Sequence, residues 1–170
     1  MFLLNQPISF DFLGVLVAVI GIGVLSAIVS FRSKKSITSR SFFFFSFVTI
    51  FWGISNYFLY KFTDPAESLL ALRLHIFLSI WHAYAFFQLA YVFPYTDKPL
   101  PLWHRYFLLP LAFFSSTLLL VPFVFTRVSN LISVNEIVNP EKSQGIILAG
   151  IVTFSFFIAG IAFLFKRIGE

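Results

Sequence analysis

Cysteine is absent from this chain of 170 residues. That excludes disulfides, thiolate metal sites and cysteine nucleophiles, and it leaves no redox compartment to be read. Charge is scarce as well: Asp, Glu, Lys and Arg make up 11% of the residues, against about 25% in soluble domains. So little charge does not cover a water-facing surface. Catalytic and nucleotide-binding signatures are missing, with no G-x-x-x-x-G-K-[ST], H-E-x-x-H, G-x-S-x-G or G-x-G-x-x-G. Neither an enzyme nor a bound cofactor is therefore expected. Tryptophan and tyrosine are few, at 3 and 6.

What fills the chain is hydrocarbon. Hydrophobic residues reach 59%, phenylalanine alone contributes 26, and the mean hydropathy is +0.91. A bilayer core takes about 20 apolar residues as a helix. Five runs meet that length, at about 12–31, 42–60, 69–93, 106–125 and 146–165. In hydrocarbon the backbone must satisfy its own hydrogen bonds, so each run is read as a helix. The runs do not alternate as barrel strands do. The expected fold is all-α: a single polytopic bundle of about five transmembrane helices, with Pro110 and Pro122 bending the fourth and the region Thr126–Gly145 forming the longest and most polar loop. Met1–Asp11 has no Lys or Arg, and no A-x-A site closes the first run, so it reads as a retained helix with Asp11 at its mouth.

The net charge of +5 sits mostly at the ends of the runs, which points to topology and acidic headgroups rather than nucleic acid. Arg32, Lys34, Lys35, Arg40, Lys98, Arg105, Lys166 and Arg167 fall on one side, and Lys61, Arg127 and Lys142 on the other. The positive-inside rule then places the N-terminus outside and the C-terminus in the cytoplasm of a multi-pass cell-membrane protein.

The third run holds ionisable residues, which are costly in hydrocarbon and by default mark function. His75, Ser79 and His82 share one helical face by their spacing; Arg73, Tyr84, Gln88 and Tyr91 cluster roughly opposite. Polarity on both faces implies a helix surrounded by the other four. Of the three histidines, only His75 and His82 are expected to share a surface, and two turns between them with no nearby carboxylate argue against a metal site. On the second run Ser46, Thr49, Gly53, Asn56 and Tyr60 recur at spacings of three and four. That row suits helix packing or a pocket shared with the third helix. The candidate pocket residues are Asn56, Arg73, His75, His82, Tyr84 and Gln88. Small-residue rows at Gly14, Ala18 and Gly21, and at Ser155 and Ala159, suit packing within the bundle or against a second copy. The run Phe42–Phe45 suits lipid contact and packing. Trp103, Tyr106 and Tyr60 sit at run ends as interfacial aromatics do.

In order along the chain, the basic loop RSKKSITSRSF, the segment FWGISNYFLY with Trp52 and Tyr57, the L-R pair at Leu72 and Arg73, and the aromatic-rich stretch Phe86–Tyr95 resemble the N-terminal seven-transmembrane region of bacterial sensor histidine kinases. The resemblance implies a membrane-embedded input domain that relays a signal to a cytoplasmic partner. It departs from that family in having five runs rather than seven. These residues hold neither a phosphoacceptor-histidine module nor an ATP-binding domain, so the output is expected elsewhere. A small transporter or a structural subunit of a membrane complex is the alternative reading.

Overall fold

The computed structural model describes residues 10–32, 36–59, 61–62, 64–97, 99–121, 128–129, 139–140 and 144–169. Five helices account for nearly all of them: α1 (Phe10–Arg32), α2 (Ile37–Leu59), α3 (Pro65–Val92), α4 (Leu109–Leu120) and α5 (Gln144–Ile168). A two-residue antiparallel ladder joins β1 (Val128–Ser129) to β2 (Asn139–Pro140). Among the described residues four helices, α1, α2, α3 and α5, are long and apolar enough to cross a membrane. Val17, Phe154 and Ile158 are 70%, 68% and 66% exposed, a surface that water opposes and lipid accepts.

The fourth run is built differently from the expected single helix. Helical backbone covers 102–120, but His104–Leu108 is a π turn in which the Leu109 N–H bonds to the His104 carbonyl. The cause is Pro110, which has no N–H to give to Tyr106 and whose ring crowds that carbonyl. The wider turn relieves both. The helix begins before the expected residue 106 and gives way at Val121; Pro122 and the rest of the expected run to 125 lie outside the described residues.

Helix starts also extend past the apolar runs. α2 takes in Ile37–Arg40 of the basic loop because the Ser36 hydroxyl accepts, at a long 3.5 Å, from the Ser39 N–H, and the Ser36 carbonyl accepts from the Arg40 N–H at 3.2 Å. α3 starts at Pro65, where Asp64 caps the Ala66 and Glu67 N–H groups at 3.0 and 3.1 Å. Proline suits the first helical position because its missing donor would be unpaired there anyway.

α3 is the most buried span, but it does not touch all four neighbours. It packs against α2, α4 and α5, while α1 lies on α2 alone. The expectation of a helix surrounded by four others is corrected to three. α1 is apolar without a polar face of its own, so nothing draws it off the lipid beyond a seam with α2. Around α3, the core joins Ile80, Ala83, Tyr84 and Phe87 to Ala112 and Leu119 of α4 and Ala149, Val152 and Phe156 of α5. Small residues let these backbones approach. At Gly160 an added Cβ would meet the Phe86 ring at 2.8 Å and the Phe87 Cα at 3.3 Å, so α5 crosses α3 only where α5 has no side chain.

The helix ends and the described connections between them sort to two ends of the bundle. At one end the Ile37 N–H bonds to the Thr96 carbonyl at 2.9 Å, Thr38 Oγ1 donates to the Val92 carbonyl at 3.3 Å and Ser39 Oγ to the Val29 carbonyl at 3.2 Å. Arg167, in the last turn of α5, donates to the Phe93 and Tyr91 carbonyls and lies 4.5 Å from the Tyr95 ring centroid. The first connection, the third connection and the end of α5 thus meet.

Candidate functional site

The two polar faces of α3 lead to two different places. On the first, α2 and α3 are clasped by a closed ring of hydrogen bonds. Trp52 Nε1 donates to Ser79 Oγ at 2.8 Å, and Ser79 Oγ donates to the His75 carbonyl at 2.9 Å. Ser55 Oγ lies 3.2 Å from His75 Nδ1 and donates to the Trp52 carbonyl at 2.8 Å. A hydroxyl has one hydrogen. With that of Ser55 on its own helix, His75 Nδ1 carries the proton and donates to Ser55. Each serine returns its hydrogen to its own helix and accepts from the other.

His82, two turns along, is held by rings rather than by hydrogen bonds. Its imidazole stacks on Phe45 at 5.1 Å and 17° and on Trp52 at 5.1 Å and 15°, with Phe157 edge-on at 5.8 Å. Its Nε2 is buried and has no hydrogen-bond partner among the described residues. The Trp52 ring also faces His75 at 5.5 Å. The two histidines therefore share the seam that the sequence indicates. Hydrogen bonds among the described residues do not run from one to the other, so the seam is a clasp with a stacked imidazole rather than a continuous polar path.

The second face of α3 meets the π turn and α4. Trp81 Nε1 donates to Ser116 Oγ at 3.1 Å, and Gln88 Nε2 donates to Ser41 Oγ of α2 at 3.2 Å. His104 stands against Tyr84 at 5.3 Å and Phe87 at 6.3 Å. It is only 3% exposed, and its Nε2 likewise lacks a partner among the described residues. A cleft of about 600 Å³ opens here, lined in part by Tyr84, Gln88, His104 and Arg105.

Of the six expected pocket residues, His75 and His82 fall together in the seam, and Tyr84 and Gln88 together in the cleft. Arg73 stands apart from the cleft: eleven residues before Tyr84, it lies about 16 Å away along the axis. Asn56 is half-buried and makes no hydrogen bond among the described residues; Ser55 beside it makes the contact with α3. Ser46 of the same row is buried, Thr49 bonds back to its own Phe45 carbonyl at 2.7 Å, and Tyr60 lies outside the described residues. His104 is the residue that spacing missed, because its partners come from another helix. The only signal was an ionisable residue beside an apolar run. No family model, curated protein or solved structure matches this chain, so its own geometry carries the reading.

Proposed function

We propose that the chain is a membrane-embedded sensor or input module, akin to the N-terminal seven-transmembrane region it resembles, set in the cell membrane with its N-terminus outside. A signal acts on the polar faces of α3, and the end of α5 passes the change to a cytoplasmic partner. The observation that carries this reading is the Arg167 contact: the last turn of α5 is tied by its guanidinium to the Tyr91 carbonyl in the last turn of α3 and to the Phe93 carbonyl just past its end. Carbonyls at a helix C-terminus lie past the last intrahelical donors, and a guanidinium is well suited to bind them. A shift of α3 is thereby felt at the C-terminal end of α5. The orientation is supported by the gathering of Arg32, Arg40, Arg105, Lys166 and Arg167 at that same end.

A sensor needs two states whose balance the signal alters by binding one better than the other. Spin labels on introduced cysteines at Phe43 and Phe165, both exposed positions, report the α2–α5 separation in nanodiscs. The expected result is two distance populations whose ratio changes with pH or lipid composition and ceases to change in Arg167→Ala. A single population under every condition sinks the sensor reading in favour of a structural subunit. Solute flux in proteoliposomes favours a transporter.

A further inference from the structure

We propose that the cleft between α3 and the π turn is a binding site for an anionic phospholipid, with the headgroup phosphate on Arg105 and the glycerol ester region on Tyr84, Gln88 and His104. Charge is the first argument. Arg105 is exposed, its ion contact among the described residues is the Tyr106 ring at 5.9 Å rather than a carboxylate, and no acidic residue among the described ones lines the cleft.

Unmet hydrogen bonding is the second argument. His104 is buried with Nε2 unpartnered. Tyr84 is buried and makes ring contacts but no hydrogen bond among the described residues. Gln88 uses Nε2 on Ser41, leaving its carbonyl and a second N–H. Buried polar groups of this kind are ordinarily satisfied, and in hydrocarbon water is not at hand to do it.

Placement is the third. Gln88 lies one turn, about 6 Å, and Tyr84 two turns, about 12 Å, inside the end of α3. Arg105 sits at the start of the next helix, between exposed Trp103 and Tyr106, at headgroup level. The cleft thus descends from a cation through neutral hydrogen-bonding groups, with Phe44 and Leu109 as apolar walls. That order matches a phospholipid from phosphate to ester to acyl chain. A free anion would leave the deeper groups and the walls unused. The volume of about 600 Å³ holds a headgroup and the first part of a chain, within the usual range for ligand pockets.

Native mass spectrometry of the detergent-purified chain with equal dioleoyl phosphatidylglycerol and dioleoyl phosphatidylcholine tests the site, alongside thermal midpoints. The expected result is retained phosphatidylglycerol about tenfold over phosphatidylcholine, falling about tenfold in Arg105→Gln and about fivefold in Tyr84→Phe. Arg32→Gln, at the same end but outside the cleft, retains as much as the unaltered chain. Tyr84→Phe removes a single hydroxyl and keeps the test open if Arg105→Gln fails to fold. Equal retention of the two lipids overturns the proposal, as does an equal loss in Arg32→Gln, which would indicate diffuse surface charge. Inorganic phosphate that raises the midpoint as far as phosphatidylglycerol and displaces it also overturns it, assigning the cleft to a small anion.

Discussion

At the residue scale, His82 shows how a polar side chain is kept inside a membrane protein by ring stacking, with no hydrogen bond among the described residues. Its ring is sandwiched between Phe45 and Trp52, an arrangement worth about 0.5–1.5 kcal/mol for aromatic pairs, against an orphaned Nε2 that opposes burial. Replacing it separates the two effects. His82→Leu loses the stack and is expected to lower stability by about 1 kcal/mol, while His82→Phe keeps the stack, sheds the orphan nitrogen and is expected to be neutral or stabilising. Phe43→Leu, on a side chain 52% exposed, stays within about 0.5 kcal/mol. Thermal unfolding in detergent ranks the three, and equal, negligible effects of His82→Leu and Phe43→Leu would remove the seam from consideration. The clasp makes a second prediction. Trp52→Phe and Ser79→Ala break the same bond, so a double-mutant cycle should give a coupling of about 0.6 kcal/mol and at most about 1.7 kcal/mol, the average and the maximum for hydrogen bonds between membrane helices. Additive losses would mean that the two residues act separately.

Among the elements, helix faces were only partly legible in advance. The run Phe42–Phe45 reads as uniform, yet Phe43 faces outward while Phe44 meets Trp81 at 6.4 Å and Phe45 meets His82. Hydropathy does not distinguish those roles. The row Gly14, Ala18 and Gly21 suits packing within the bundle or against a second copy; all three are exposed, with nothing near an added Cβ at either glycine, so the row takes no part in packing within the bundle. α1 instead turns Gly23 and Ser26 toward α2. On α5 the expected Ser155 is exposed and Ala159 packs at the core edge, while Gly160, which was not singled out, sets the crossing with α3. Gly160→Ala is therefore expected to destabilise by about 1–3 kcal/mol through overpacking, whereas Gly14→Ala is neutral or slightly stabilising because it favours the helix. Urea or thermal unfolding of the two variants checks the contrast, and an equal response would place the α3–α5 crossing elsewhere.

For the whole molecule, the absence of cysteine becomes an experimental convenience. Single cysteines at Ser36, Thr96 and Gly169 are expected to react with an impermeant maleimide from one side of sealed vesicles, and one at Lys61 from the other. Labelling of Ser36→Cys and Gly169→Cys from opposite sides would break the two-ended bundle. In intact cells, the orientation proposed here makes Lys61→Cys the accessible one. The membrane character, the positions of the helices and the polar third helix follow from the sequence alone, because lipid dictates length and hydropathy locally, residue by residue. Even the pairing of His75 with His82 is a matter of pitch on one helix. The indole of Trp52 between the two imidazoles, His104 against Tyr84, and Arg167 on the Tyr91 and Phe93 carbonyls around the end of α3 were settled only by tertiary structure. Each joins residues from different helices, and inside lipid the choice among nearly equivalent apolar faces falls to small residues, ring stacking and a handful of hydrogen bonds that no single helix's pattern contains.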